Sequence, residues 1–151
     1  MISGVYHLLL RLGRPRRIRV GALGLLPFPA GYYTYTGRAM RGLGARLARH
    51  SRRGGKRLRW HIDYLRRAAA LEAIRLVAAD EAEAECRLAL DLLAQARRRL
   101  GAGALLHPGF GASDCRCPAH LVHWGERPPG MRGPAWGRPV RLPYHSLEDP
   151  P

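Results

Sequence analysis

The sequence predicts an α/β fold, a small and mostly antiparallel β-sheet flanked by helices, followed by an irregular Pro/Gly-rich tail. Three observations predict it. Short runs of β-branched and aromatic residues, such as Tyr33-Thr34-Tyr35-Thr36, are bounded by glycine and proline in the manner of strands. Stretches with leucines at helical spacing alternate with them, Leu43 with Leu47 and Leu88 with Leu92. At 151 residues the chain has the size of one domain with its own core.

Taken in order, Gly4 to Leu12 (GVYHLLLRL) reads as a buried strand, turned by Gly13-Arg14-Pro15. Arg17 to Leu23 alternates apolar and polar residues and reads as a returning strand; Gly24 to Gly31, with Pro27 and Pro29, reads as a loop. The third strand, Tyr32 to Thr36, ends at Gly37. Gly42 and Gly44 loosen the connection to a helix striped by Leu43 and Leu47. Ser51 to Arg59 (SRRGGKRLR) is a solvated basic loop. Trp60 to Ala69 is a short helix with Ile62 and Leu65 inward, and Leu71 to Val77 is a further strand. Asp80 with Glu83 three residues on has the capping-box spacing, opening a helix that Gly101 stops after Leu100. Gly109 to His120 is rich in turns, and Leu121 to Trp124 is a last short strand. From Gly125 onward eleven of twenty-seven residues are Pro or Gly, which divides the chain into a domain over 1–124 and a tail over 125–151.

The formal net charge of +15 and a pI near 11.3 point to a polyanionic partner, most simply nucleic acid, DNA or RNA. All but one of the 26 basic residues are Arg, the exception being Lys56; codon bias accounts for that choice but not for only 11 acids. Three cysteines, Cys86, Cys115 and Cys117, argue against a disulfide framework and for a reducing compartment. No signal peptide and no apolar stretch of about 18 residues is present, so the expectation is a soluble cytoplasmic protein with no membrane partner.

The chemistry concentrates in Tyr33 to His50. Arg46 and His50 fall at i+3 and i+7 from Leu43, on the inward side of the helix. Arg38, Arg41, Arg49, Arg52, Arg53, Lys56 and Arg57 form the expected nucleic-acid-binding set in and around the basic loop. On the long helix Glu81 suits the dipole and Glu83 the cap, whereas Glu85 heads an apolar stripe of Leu88, Ala89, Leu92 and Leu93. A carboxylate there needs a partner: a buried salt bridge, for example to Arg46, or a cation.

Gly4-Val5-Tyr6 resembles the first motif of the GIY-YIG nuclease superfamily and Tyr35-Thr36-Gly37 its second. Arg46, His50 and Glu85 fill the positions of its later Arg, His and helical Glu, and His61 resembles a second His position. More closely, WHIDYL (Trp60 to Leu65), Glu85-Cys86 and GFGASDC (Gly109 to Cys115) resemble an uncharacterised family. Its members occur alone or fused to endonuclease III-type repair glycosylases, and it is usually placed in that superfamily. The resemblance implies phosphodiester hydrolysis in DNA, with repair as the setting and a repair glycosylase as the implied partner. It implies one Mg2+ or Mn2+ on Glu85 and Tyr6 or Tyr35 positioning or deprotonating water. Arg46 would hold the phosphate and His50 relay a proton, with His61 either catalytic or a hydrogen-bonding residue.

Cys115, Cys117 and His120, with Cys86, could supply zinc ligands, but C-x-C-x2-H departs from the common spacings, so reduced, packed cysteines are the expectation. A non-catalytic nucleic-acid-binding module and a zinc-stabilised adaptor of a repair enzyme are the alternatives to a nuclease.

Overall fold

A computed structural model describes residues 4–39, 41–78, 83–111 and 117–142. Strand β1 (Gly4–Leu12) is buried at every position except Arg11, because it lies at the centre of the sheet with both faces covered. That is why its sequence is a near-continuous apolar run rather than an alternation. It pairs antiparallel with β4 (Gly31–Ala39) on one side and with β5 (Ala70–Val77) on the other. Outside these lie β6 (Leu121–Gly125) against β4 and β7 (Arg138–Val140) against β5, all antiparallel, giving the order β6-β4-β1-β5-β7.

The pleat sends alternate residues of β1 to different cores. Tyr6, Leu8, Leu10 and Leu12 join Leu43 and Leu47 of helix α1 (Leu43–Ser51) and Ile62 and Leu65 of helix α2 (His61–Ala68). Val5 faces the other way, onto Ala84 and Leu88 of helix α3 (Ala84–Leu100). Further along α3, Leu92, Leu93 and Ala96 bury Val122 and Trp124 together with Trp136. The sheet is therefore sandwiched, with α1 and α2 on one face and α3 on the other. The expected α/β architecture holds.

Four expectations need correction. Arg17 to Leu23 does not return along β1. It forms a short strand β2 (Arg16–Arg19) and a 3-10 turn, Gly21–Leu23. The supposed loop contains β3 (Leu25–Phe28), which pairs with β2 as a separate two-stranded ribbon. Gly37 does not break β4, which continues to Ala39. Leu121 to Trp124 is not the last strand, because the tail adds a 3-10 turn at Pro134–Trp136 and then β7, with Trp136 only 1% exposed. Asp80 and Glu81 lie outside the described residues; Glu83 directly precedes α3, and Gly101 ends it with φ +59°.

Candidate active site

Tyr6 and Tyr35 are brought together by the β1–β4 register and face the α1–α2 layer. Tyr6 stands opposite Gly37. A Cβ at residue 37 would lie 2.5 Å from Cζ and Oη of Tyr6, so glycine is required there by space. From α1, His50 turns inward and is 1% exposed; its Nε2 lies 2.8 Å from the Tyr6 hydroxyl, with the rings 5.3 Å apart. The Tyr35 ring stands 6.2 Å from that of His50. Arg46, one turn earlier and half-buried, donates to the Tyr6 oxygen and, through Nη1, to the Arg38 carbonyl at 2.6 Å.

Either imidazole tautomer satisfies this contact; with the Tyr6 O–H as donor to His50 Nε2, the neutral imidazole carries its proton on Nδ1. That Nδ1 is buried with no hydrogen-bond partner among the described residues. Burial, reinforced by the cations Lys56, Arg46 and Arg49 against the opposing charge of Asp63, lowers the His50 pKa to about 3. Burial pushes the Tyr6 phenol well up, Arg46 pulling against it, and pushes Tyr35 up as well. At rest the pair is neutral, contrary to the lowered phenol that a general base would need.

Glu85 stands in the first turn of α3, across the sheet from α1. Its Oε2 lies 3.5 Å from Nδ1 of His120, whose carbonyl accepts the Thr36 N–H at 3.0 Å and so ties the carboxylate to the β4 segment bearing Tyr35. The charge on Glu85 is close enough to raise both Tyr6 and Tyr35. His61 takes a positioning role at Nδ1, which accepts the Gly111 N–H at 2.9 Å while its ring packs on Phe110. Gly111 has φ +72°, and a Cβ there would meet Cε1 of Tyr35 at 2.7 Å.

The basic loop is pinned by an acid that the sequence reading passed over. Asp63 is fully buried, and its Oδ2 accepts the backbone N–H of Arg59 and of Trp60, each at 2.9 Å, and Nη2 of Arg49. Burial alone would raise this carboxyl; those two N–H groups with Arg49 and Lys56 outweigh it and lower the pKa. Around the neighbouring Trp60 gather three guanidiniums, those of Arg46 and Arg49 at 4.8 Å and that of Arg59 at 5.3 Å. Arg66, also overlooked, donates to the carbonyls of His50, Ser51 and Ala69, closing the C-terminal end of α1.

Of the expected phosphate contacts, Arg41, Arg52, Arg53 and Arg57 are exposed and Arg38 is half-buried. Lys56 is turned inward: its side chain is 2% exposed, its Nζ lies 3.8 Å from Asp63 Oδ1 and donates to the Arg49 carbonyl, and burial lowers its pKa to about 8. Arg49 is likewise turned inward, 18% exposed, toward Asp63. Both serve the loop before they can serve a ligand.

The reduced-cysteine expectation is also corrected. Cys86 and Cys117 lie at disulfide distance, with Cα atoms 5.9 Å apart. His120 Nε2 is 3.6 Å from Cys86 Sγ, and these three residues are close enough to share one metal ion. Cys115 lies outside the described residues. No helix among the described residues is long and apolar enough to cross a membrane. A family model described as "Domain of unknown function DUF123" matches residues 5–132. Neither a curated protein nor a solved structure matches the chain.

Proposed function

Because the chain belongs to the family described as Domain of unknown function DUF123, whose name specifies no reaction, we propose from its site that it is a metal-dependent endonuclease. It hydrolyses phosphodiester bonds in DNA in the manner of the GIY-YIG superfamily, with repair as the setting. The observation that carries this is the contact of Tyr6 with both His50 and Arg46, beside Tyr35 and within the field of Glu85. These residues come from two strands and two helices far apart in sequence, and core packing alone has no need of so many polar groups.

The donor chemistry fits a hard divalent ion: Glu85 offers a carboxylate that is 27% exposed, so Mg2+ or Mn2+ could retain much of its water there. When bound, such an ion supplies charge stabilisation at the scissile phosphate and the leaving oxygen. The chain's own residues do the rest. Arg46 presents a planar fork to phosphate while holding the Tyr6 oxygen. The Tyr6 oxygen accepts a proton from water as it passes its own to His50 Nε2, so the two side chains form one relay. Tyr35 walls the other side, and Trp60 with Arg59 and the exposed arginines of the loop extends a surface for the strand.

One observation favours a non-catalytic nucleic-acid-binding module instead: burial disfavours the charged forms of Tyr6, Tyr35 and His50 alike. Cleavage of branched, damaged and plain DNA with Mg2+ or Mn2+ separates the two readings. Glu85→Ala and Tyr6→Phe should each lose at least about 100-fold in cleavage with DNA binding retained. Wild-type rates in both variants would refute the endonuclease reading; tight, salt-sensitive binding without any cutting would establish the binding module.

A further inference from the structure

The second cluster of donors lies beside Glu85 and is not used by the chemistry above. His120 is fixed by its backbone: its N–H donates to the Phe110 carbonyl at 2.8 Å and its C=O accepts from Thr36. Its ring is 2% exposed. One ring nitrogen, Nε2, points at Cys86 Sγ, while the other, Nδ1, faces the Glu85 carboxylate at 3.5 Å. Cys117 brings the third donor, and one ligand atom from each of the three residues falls within 4.8 Å of the others.

We propose that, once its disulfide is reduced, the chain binds one zinc-class divalent ion through Sγ of Cys86, Sγ of Cys117 and Nε2 of His120. Geometry supports this. With Zn–S near 2.3 Å and Zn–N near 2.1 Å, a tetrahedral ion holds its sulfur and nitrogen ligands about 3.6 Å apart. Cys86 Sγ and His120 Nε2 stand 3.6 Å apart without the ion. Two thiolates on such an ion stand about 3.8 Å apart, so the sulfurs must leave bonding distance, which reduction permits. The carboxylate of Glu85 favours the tautomer with the proton on Nδ1, which leaves the Nε2 lone pair facing the sulfur. The donors are soft sulfur and imidazole nitrogen, suited to zinc and not to Mg2+. The described residues supply three donors, and a tetrahedral ion takes one further ligand.

The redox step balances with a dithiol as reductant. It passes two electrons and two protons to the Cys86–Cys117 bond and itself becomes a disulfide. Zinc then displaces one proton from each thiol, two per ion bound. The disulfide and the metal site are thus alternative states of the same two sulfurs, and the inference stands whether or not the chain cleaves DNA.

The test uses the full chain, reduced with a dithiol, freed of it without oxygen, and titrated with Co2+ as a spectroscopic stand-in for Zn2+. The reduced protein should take up one equivalent, with thiolate-to-cobalt charge-transfer absorption that Zn2+ abolishes; the oxidised protein should show none. Cys86→Ser and His120→Ala should each weaken cobalt binding by more than the about 10- to 100-fold that loss of an outer-shell partner costs. If either variant fails to fold, the reduced and oxidised forms of the natural chain still decide. Absence of the charge-transfer band in reduced, folded protein, equal uptake by the oxidised form, or wild-type affinity in folded His120→Ala overturns the assignment.

Discussion

Adding one methyl group at Gly37 should disturb both stability and the site, by an amount that follows from the strand register. Gly37 is not among the residues with positive φ, so its backbone suits alanine; only space forbids it. The added Cβ would stand 2.5 Å from Cζ and Oη of Tyr6 and 2.8 Å from Cε2. Carbon atoms in contact prefer about 3.5–4.0 Å, so the ring must retreat by about 1 Å. It has nowhere easy to go: Tyr6 is 1% exposed, and its hydroxyl is held by His50 and Arg46. Overpacking of this kind costs about 1–3 kcal/mol. For a domain of this length that lowers the Tm by roughly 2–12 °C. Moving the Tyr6 oxygen by the same distance should cost about 100-fold in cleavage. Thermal unfolding of Gly37→Ala measures the first effect, and a double-mutant cycle with Tyr6→Leu isolates its cause. In the leucine background the methyl has room, and its cost should fall by at least about 1 kcal/mol. An equal cost in both backgrounds, or none in either, would refute the reasoning.

Three further outcomes are expected. Asp63→Asn leaves Arg49 and Lys56 facing a neutral group in a buried site and should destabilise by about 3–5 kcal/mol in urea titration; a loss below about 1 kcal/mol would show that the carboxylate is not what pins the basic loop. His7 and His50 are buried with pKa lowered to about 4 and about 3, mainly by desolvation, so the unfolded chain binds more protons than the folded one below pH 6.5. Stability is therefore full above that value and falls as pH drops through 6.5 toward 4, by on the order of 2 kcal/mol per histidine at pH 5; a flat profile between pH 7 and 5 would contradict the burial of both rings. Trp60→Ala should weaken binding to single-stranded DNA by about 1–3 kcal/mol in a fluorescence titration, and unchanged affinity would remove Trp60 from the interface.

The sequence made the centre of the sheet legible and its edges obscure. The bounds of β1 follow directly from an apolar run closed by Gly13, and β5 and α2 follow from their spacing, because burial on two faces or one leaves a periodic record. β7 leaves none: it is three residues long with a proline at its centre. Pro139 is tolerated because β7 is an edge strand, where a missing N–H need not break a ladder on both sides. The ribbon of β2 and β3 is obscure for a related reason, since Pro27 and Pro29 read as loop and only the pairing of Arg16–Arg19 with Leu25–Phe28 shows a strand there. The link between Cys86 and Cys117 spans 31 residues, and an odd cysteine count cannot reveal such a pairing.

Within the site, legibility divides by whether a residue's position or its partner gives it meaning. Arg46 and His50 could be found because helical spacing alone turns them toward Leu43 and Leu47, and the structure gives both a place beside Tyr6. Asp63 and Trp60 could not, because what defines them is the approach of Arg49, Arg59 and Lys56 from a loop with no periodicity. A signal was nonetheless present: Asp63 is the sole acid between His50 and Ala70, a stretch holding Arg52, Arg53, Lys56, Arg57, Arg59, Arg66 and Arg67. One carboxylate among seven cations is unlike a solvated charge run, where acids are as welcome as bases, and its position three residues beyond Trp60 lets it reach back to the helix start. The charge balance therefore argues for a loop built to concentrate positive potential around a single internal anchor, which is the arrangement observed.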